Sequence, residues 1–367
     1  MYRYLFILLF IGILYLIVFV NGLSLLKLLS CFFKVNRKWY WVLFTIVNIA
    51  LLMCTFLPNR YLQFIGGYFL GFTAYYFMFN IVLMFIMLLP VKAFNEKMFV
   101  GIMEGMKLVL ISILIGYGAY NLKKIEIISY ELYSDKVSET LTIVAFADLH
   151  LGSRININEV KNIVTMINDM DADLVLIPGD FINISMREVE NIDALKKELR
   201  KIKSKYGVYV TLGNHDPSRD HDDLVTFFKD SNIILLEDEI VELGEITIVG
   251  RRDLSPIDNF AQERKKIEEL VGDIDNNQYI IMPDHQPNGQ RDAIANNVDL
   301  LINGHTHNGQ IFPGNLIVAW INLLGYGHKK YDNTDIIVTS GVGYWGPPIR
   351  IGSHSEIVKI ELNPSKS

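Results

Sequence analysis

The chain has 367 residues, of which 51% are hydrophobic, and a mean hydropathy of +0.27, which is high for a purely soluble protein. Its charge is divided: residues 1–124 carry eleven Lys or Arg and two acids, a net +9, whereas the remainder carries 23 and 38, a net −15. An acidic C-terminal part repels a phosphate backbone, so nucleic acid is excluded as an expected partner. That part contains no cysteine, which excludes a disulfide framework there.

Residues 1–124 are predicted to form a helical membrane region. A membrane-crossing helix needs about 20 mostly apolar residues, and four stretches qualify, at 4–20, 39–57, 61–89 and 98–120. No small-residue cleavage site follows the first stretch, so we expect it to be retained. The fourth contains Glu104 and Lys107, one helical turn apart, which can pair inside the bundle. We expect a packing or solubility role for this pair rather than a proton relay.

The basic residues of the loops predict the orientation. Positively charged loops stay in the cytoplasm. Six basic residues fall on one side and four on the other: Lys27, Lys34, Arg37, Lys38, Lys92 and Lys97 against Arg3, Arg60, Lys123 and Lys124. We therefore expect a multi-pass protein of the cell membrane, with the lipid bilayer as a partner and the C-terminal domain outside the cytoplasm.

The C-terminal part alternates strands and helices. Residues 125–140 are assigned as a linker, although 125–134 alternates like a strand. Short apolar runs predict strands at 141–147, 173–177, 208–212, 233–236, 246–249, 279–282, 300–302, 336–339 and 357–360. Helical spacing predicts a helix over 158–170, and a charged helix at about 187–203. We predict one α/β domain over 141–362 and a short tail at 363–367.

Metal-ligand side chains follow directly after five of these strands. They are Asp148 and His150, then Asp180, then Asn214 with His215 and Asp216, then His285, and finally His305 and His307. Ligands of open α/β sheets bind beyond the carboxyl ends of strands, so we expect these side chains to converge. Imidazole and carboxylate without thiolate suit divalent transition metals. Two neighbouring ions need a bridging carboxylate, for which Asp180 is the natural candidate.

Each of these motifs alone also has an ordinary explanation, such as a polar turn or an isolated zinc pair. Their combination, in this order and each after a strand, is what indicates a dinuclear site. Glycines 179, 213 and 304 beside the ligands permit close backbone approach. The other histidines, His221, His328 and His354, are expected at the surface. The three arginines Arg251, Arg252 and Arg350 can bind a phosphate, but we expect surface salt bridges for each.

Taken together, these motifs resemble the calcineurin-like metallophosphoesterases over about residues 140–362. The motifs are Asp148-Leu149-His150, Gly179-Asp180, Gly213-Asn214-His215-Asp216, His285 and Gly304-His305-Thr306-His307. The chain is most similar to bacterial membrane-associated phosphodiesterases with the signature Gly-His-Thr-His-x-Gly-Gln, and residues 339–352 resemble that branch as well. Asn308 stands where the branch usually has glycine, a change that can alter loop shape or substrate contact.

The resemblance implies an α/β fold, a four-layer sandwich of two mixed sheets flanked by helices. It implies two divalent metal ions, Mn, Fe or Zn, and no other cofactor site. The first ion would be held by Asp148, His150, Asp180 and His307, and the second by Asp180, Asn214, His285 and His305. His215 would donate a proton to the leaving group, and Asp216 would orient it.

The expected function is a metal-dependent phosphoric ester hydrolase, either a phosphodiesterase or a pyrophosphatase. Two metals neutralise phosphoryl oxygens during in-line attack, and a histidine can protonate the departing oxygen. The anchor favours a lipid-linked or cell-envelope phosphate as substrate, as in the similar UDP-diacylglucosamine pyrophosphatases. A tethered phosphodiesterase for soluble nucleotides stays open, as does the oligomeric state. A non-catalytic membrane sensor is disfavoured by the complete ligand set.

Overall fold

The structure is a computed structural model that describes residues 2–57, 59–87, 96–152, 155, 157–183, 185–216, 220–253 and 264–365. The chain divides into two compact units. The helical unit comprises Met1–Tyr120 and Gly346–Ile349, and the α/β unit comprises Asn121–Trp345 and Arg350–Ser367.

The helical unit is built on four long apolar helices in its described residues. They are α1 (Tyr2–Phe32), α2 (Arg37–Met53), α3 (Arg60–Met87) and α4 (Glu96–Lys123). Each contains or adjoins an apolar window long enough to cross a bilayer, and the windows are Gly12–Phe32, Arg37–Phe56, Arg60–Phe85 and Lys97–Lys123. The prediction of four candidate spans is confirmed.

The first helix runs twelve residues beyond the predicted end of the first span, and an apolar window long enough to cross a bilayer lies at Gly12–Phe32 within it. No proline interrupts this stretch, and its polar side chains find partners: the amide of Asn21 donates to the carbonyl oxygen of Thr73 at 2.9 Å. Lys27 therefore lies within α1 and not in a loop. Positions 88 and 89 of the predicted third span, and Lys92, lie outside the described residues.

Glu104 and Lys107 form the predicted pair, with Nζ of Lys107 2.6 Å from Oε2 of Glu104 and both side chains 3% exposed. Nζ also donates to Oγ of Ser24 at 2.8 Å and to Oδ1 of Asn80 at 2.5 Å. Tyr76 donates to Glu104 at 3.0 Å. Charges inside a helical membrane bundle need such partners, because water cannot solvate them there. The network accordingly links α1, α3 and α4.

In the described residues, the α/β unit contains twelve strands and six helices. The strands are β1 (Ile125–Ser134), β2 (Leu141–Ala145), β3 (Leu174–Pro178), β4 (Val208–Thr211), β5 (Ile234–Leu235), β6 (Glu239–Leu243), β7 (Ile246–Gly250), β8 (Tyr279–Pro283), β9 (Leu300–Asn303), β10 (Gly327–Tyr331), β11 (Thr334–Val338) and β12 (Ser355–Pro364). The helices are α5 (Ile157–Asn168), α6 (Ile192–Leu199), α7 (His221–Asp230), α8 (Ile267–Val271), α9 (Gln290–Ala295) and α10 (Gly314–Ile321).

The strands form two six-stranded mixed sheets. The first has the order β1-β12-β2-β3-β4-β5 and the second β10-β11-β9-β8-β7-β6. In the first sheet only the β12–β2 pair is antiparallel. In the second, the two outer pairs are antiparallel and the inner strands are parallel. The carboxyl ends of β2, β3 and β4 therefore share one edge, as do those of β8 and β9.

The sheets pack face to face, with helices on both outer sides. Ile143 of β2 and Ile281 of β8 belong to one buried cluster between the sheets. On the outer face of the first sheet, α5 contributes the buried stripe that its helical spacing predicts, including Val164. On the outer face of the second sheet, α8 contributes Ile267. The predicted four-layer sandwich of two mixed sheets flanked by helices is confirmed.

The segment assigned as a linker over 125–140 contains strand β1. It pairs in parallel with β12 along all ten residues, from Ile125 opposite Ser355 to Ser134 opposite Pro364. Its Leu132 is buried in the cluster between the sheets. Only residues 135–140 are left as a connection, and β12 extends to Pro364, beyond the predicted domain end at 362.

Two strands and several helices had no prediction. Strands β6 and β10 lie at the two edges of the second sheet, where one side faces solvent and polar residues weaken the apolar signal. Helices α7 to α10 were also not predicted. The charged helix expected at 187–203 is shorter in the structure. A 3₁₀ turn forms at Met186–Glu188, and the α-helix itself covers Ile192–Leu199.

Candidate metal centre

The predicted ligands converge where the strands end. Asp148 and His150 follow β2, Asp180 follows β3 and His285 follows β8. His305 and His307 follow β9. Because β2 and β3 belong to one sheet and β8 and β9 to the other, both sheets contribute ligands to the same site.

The first ligand group consists of Asp148, His150 and His307, all buried, with one potential ligand atom each within 4.8 Å of one another. Nε2 of His150 lies 3.1 Å from Nε2 of His307. Nε2 of His307 lies 3.4 Å from Oδ1 of Asp148. Two nitrogens bound at about 2.0–2.1 Å to a common zinc ion also lie roughly 3 Å apart. The spacing of these atoms therefore fits a metal ion.

The second ligand group consists of Asp180, His285 and His305. Nε2 of His285 lies 3.1 Å from Oδ2 of Asp180 and 3.2 Å from Oδ1 of Asn214. Nδ1 of His285 lies 2.9 Å from the carbonyl oxygen of Pro178. That contact fits a ring whose Nδ1 donates and whose Nε2 is left for a metal. Asn214 adds an amide oxygen to the group.

The carboxylate of Asp180 lies between the two groups. Its Oδ2 is 3.1 Å from Nε2 of His285 in the second group and 3.7 Å from Nε2 of His150 in the first. Its Oδ1 accepts the backbone N–H of His215 at 2.8 Å. The carboxylate is thus held in place by the loop after β4.

Five of the ligand candidates adopt the left-handed backbone region, which is uncommon for residues other than glycine. They are Asp148, His150, Asp180, His305 and His307, with φ between 48° and 69°. Such backbone strain clusters at functional sites and persists only where the surrounding structure enforces it.

Two glycines allow the loops to approach so closely. Gly179 has a φ of +79°, and a Cβ there would lie 2.5 Å from the ring of His285. A Cβ on Gly213 would lie 2.3 Å from Oδ1 of Asp180. Any other residue at either position would displace the ligand beside it.

Burial and mutual charge set the protonation of the site. Burial raises the pKa of Asp148 to about 7. Burial alone would also raise the pKa of Asp180, but the neighbouring imidazoles, above all His285, hold it below its usual value. Burial lowers the pKa of His305 to about 4 and holds that of His307 well below its usual range. Neutral imidazoles and buried carboxylates are the donors that a borderline divalent cation needs.

His215 stands beside the first group, with its ring edge-on to that of His150 and centroids 5.0 Å apart. It is half-buried, and its Nδ1 has no hydrogen-bond partner among the described residues. Burial lowers its pKa. The ring therefore lies next to the ligands, and no carboxylate of the described residues forms a hydrogen bond with its Nδ1.

Asp216 makes different contacts from those expected of a residue that orients His215. Its carboxylate accepts backbone N–H groups from Ile182 at 2.7 Å, Gly213 at 2.8 Å and Phe181 at 3.3 Å. Burial raises its pKa to about 7. The side chain thus connects the loop after β3 to the loop after β4, which carry Asp180 and Asn214.

Arg350 is fully buried, so the expectation of a surface salt bridge is wrong for it. Its guanidinium donates to the carbonyl oxygens of Ser340 at 2.6 Å, Gly343 at 2.7 Å and His307 at 3.3 Å. Burial lowers its pKa to about 10. Arg350 therefore holds the His307 loop against the segment after β11. Its place in the signature-like tail was the only signal in the sequence.

Arg251 also departs from the surface expectation, whereas Arg252 keeps an ion pair at a partly exposed position. Arg251 is buried and lies 3.8 Å from Asp238, while Arg252 is half-buried and 3.7 Å from Glu237. The three remaining histidines are half-buried, and each has a carboxylate within 2.8–2.9 Å: His221 with Glu237, His328 with Asp335 and His354 with Glu356.

Asn308 occupies a left-handed conformation, with φ 48° and ψ 41°. Glycine adopts this region freely, and asparagine is among the few other residues that do so readily. Asparagine in place of the glycine of the signature is therefore compatible with the left-handed backbone at this position. Its N–H donates to Oγ1 of Thr306 at 3.2 Å.

Comparison with known proteins gives matches to a family model and to several relatives. A sequence model of the family described as calcineurin-like phosphoesterase matches residues 141–309. An uncharacterised metallophosphoesterase of Helicobacter pylori is 33% identical over 239 residues, which are 64% of this chain and 62% of the relative. One of Campylobacter jejuni is 30% identical over 269 residues, 71% of this chain and 70% of the relative.

A protein of Danio rerio named as a transmembrane protein with metallophosphoesterase domain is 27% identical over 271 residues, 70% of this chain and 61% of its own length. The match to the Helicobacter pylori relative spans less than two thirds of that protein.

Proposed function

This chain belongs to the calcineurin-like phosphoesterase family, and on that premise we propose that it is a membrane-anchored, dinuclear metal-dependent hydrolase of a phosphodiester or pyrophosphate bond. The observation that carries the proposal is the position of Asp180 between two ligand groups, with one carboxylate oxygen 3.1 Å from His285 and 3.7 Å from His150.

In this proposal Asp148, His150 and His307 would hold one ion, His285, His305 and Asn214 would hold the other, and Asp180 would be a ligand of both. Two bound divalent ions (Mn, Fe or Zn) would supply charge stabilisation at a phosphoryl group and a nucleophile at neutral pH. His215 lies beside this centre, and its ring is the group we propose to protonate the departing oxygen. Asp216 and Arg350 hold the ligand-bearing loops.

We propose a lipid-linked or cell-envelope phosphate as the substrate. Support comes from the four candidate spans and from the short connection: Lys124 alone separates α4 from β1. A catalytic unit attached in this way meets lipid headgroups at a raised effective concentration. The loop charges favour an extracytoplasmic position for it.

The test uses the full chain purified with Mn²⁺ and reconstituted in vesicles, because a chain that begins after β1 would lack an edge strand of the first sheet. Hydrolysis is compared for a bis-aryl phosphodiester, an aryl phosphomonoester, a soluble nucleotide diester and a lipid-linked pyrophosphate. We expect metal-dependent cleavage of diester or pyrophosphate bonds, fastest on the lipid-linked substrate.

Each alternative predicts a different result. Preference for the soluble nucleotide would indicate a tethered nucleotide phosphodiesterase. Two bound metals with no turnover on any substrate would indicate a sensor. Preference for the monoester, or cleavage that persists after chelation and in Asp180→Asn, would overturn the proposal itself.

A further inference from the structure

A long uncharged segment follows the metal ligand His307. Residues 308–327 contain no Lys, Arg, Asp, Glu or His. The segment includes helix α10, in which no residue is buried. Among the described residues of the chain, nothing fully buries a side chain of this apolar helix, which is unusual for a protein surface in water.

The exposed side chains form what we call the apolar patch, consisting of Phe312, Leu316, Ile317, Trp320, Ile321 and Trp345. Trp320 is 85% exposed, Ile321 63%, Leu316 59% and Ile317 56%. Phe312 and Trp345 are exposed by 42% and 54%.

Hydrogen bonds from the backbone and from the side chain of Gln310 hold the apolar patch to the loop that carries His307. Phe312 N–H donates to the carbonyl oxygen of Ile351 at 2.6 Å, and Ile351 N–H donates to that of Gln310 at 2.9 Å. The amide of Gln310 donates to the carbonyl oxygen of Trp345 at 2.9 Å and accepts its N–H at 3.1 Å. Gln310 lies three residues after His307, so whatever the patch contacts is held beside the metal ligands.

The bilayer is the occupant that best fits this surface. The chain carries four candidate membrane spans, and only Lys124 lies between α4 and the edge strand β1. Tryptophan is enriched at the boundary of headgroups and acyl chains, and large aliphatic side chains beside it bury their apolar surface there. Trp345 also directly precedes Gly346–Ile349, the late segment that clusters with the apolar helices.

We propose that the apolar patch inserts into the interfacial layer of the bilayer that holds α1 to α4. This second membrane contact fixes the metal centre next to lipid headgroups. The contact itself depends only on the candidate spans. Its consequence, a preference for amphiphiles whose phosphate lies at the headgroup level, rests on the proposed function.

The experiment uses the single tryptophan at 320 as a probe. The chain has four tryptophans, so Trp39→Phe, Trp41→Phe and Trp345→Phe leave Trp320 alone. The full-length variant is placed in vesicles of phosphatidylcholine with or without bromine near the headgroup end of the acyl chains. We expect bromine to reduce Trp320 emission at least about twofold and aqueous iodide to have little effect.

A matched control moves the probe elsewhere on the same unit. In the same background, Trp320→Phe is combined with Val225→Trp, since Val225 is 39% exposed on α7. This probe should be quenched by iodide and not by bromine. Trp320 emission that behaves like the control would overturn the proposal. Trp320 shielded from both quenchers would also overturn it, because a second copy or another protein would then cover the patch.

A measurement on the unchanged chain covers the case in which the substituted variant does not fold. A phospholipid with a photoreactive group near the acyl carbonyl should label peptides spanning 312–321 and spare 221–230. Labels confined to the four apolar helices would count against the contact. Neither readout needs turnover, so an inactive enzyme and an absent membrane contact give separate results.

Discussion

Oδ2 of Asp180 lies 3.1 Å from Nε2 of His285, and this carboxylate and the burial of the ring shift the pKa of His285 in opposite directions. Burial alone would lower the pKa of His285, but the Asp180 carboxylate holds it well above its usual value. Each residue thus stabilises the charged form of the other in a buried site. A bound divalent cation would replace the proton on the His285 ring as the positive charge beside the Asp180 carboxylate.

Asp180→Asn should abolish hydrolysis and lower bound metal from two ions per chain. The amide removes the negative charge that both ligand groups share. Mutation of a residue that only hydrogen-bonds to a metal ligand typically lowers metal affinity or activity by about 10–100-fold. The loss of a ligand shared by two ions should lower them further. Metal content and turnover are measured together. Asp171→Asn is the matched control, because Asp171 is exposed and has the same left-handed backbone, with φ 49°. Two retained ions with near-normal turnover would remove Asp180 from the bridge.

His215→Ala should lower turnover by about 10²–10⁴-fold on substrates with alkyl leaving groups, and by much less on nitrophenyl esters. A proton donor matters little when the leaving group departs without protonation. Metal content should stay normal, since His215 belongs to neither ligand group. His221→Ala, a histidine paired with Glu237, serves as the control. Equal losses on both kinds of substrate would argue against proton donation.

Arg350→Lys should destabilise the α/β unit by about 2–4 kcal/mol, because several buried carbonyl oxygens lose a charged donor. The loop of His307 is among those it holds, so the affinity of the first ion should fall as well. Thermal unfolding and Mn²⁺ titration of the purified variant test both effects. Arg252→Lys, at a half-buried site, should change neither. An unaltered melting temperature for Arg350→Lys would refute this structural role.

Mn²⁺ affinity should depend on pH because binding displaces protons. With a pKa of about 7, Asp148 is protonated below that pH, so the first ion should bind about tenfold more weakly per pH unit below 7 and level off above it. The raised pKa of His285 should extend the dependence of the second ion beyond pH 7. Calorimetric titrations from pH 5.5 to 8 measure both slopes. Affinities that stay flat over this range would contradict the raised pKa values of Asp148 and His285.

A reporter fused after Ser367 should be active only outside the cytoplasm. The reasons are an even number of candidate spans and the basic loops on the side opposite the α/β unit. Because Lys27 lies well inside α1, the basic residues of the loops count five against four. An alkaline phosphatase fusion and a fluorescent protein fusion give opposite signals. Cytoplasmic signal alone would reverse the orientation.

The strand-end residues show how much the sequence alone could determine. Buried parallel strands are short apolar runs, and Asp148, Asp180, His285 and His305 each follow one directly, so both the strands and the candidate ligands that cluster beyond them were predictable from local patterns. The four spans were predictable for the same reason, since length and hydropathy are local properties.

Only the tertiary structure decided which residues support the site. Arg350 reaches the loop of His307 across 43 positions, and Asp216 reaches Ile182 across 34. Likewise, β1 becomes a strand of the first sheet only through β12, more than 200 residues later. Hydrogen bonds between distant segments leave no periodic trace in the chain, because periodicity records which face of one element is buried and not which partner it meets.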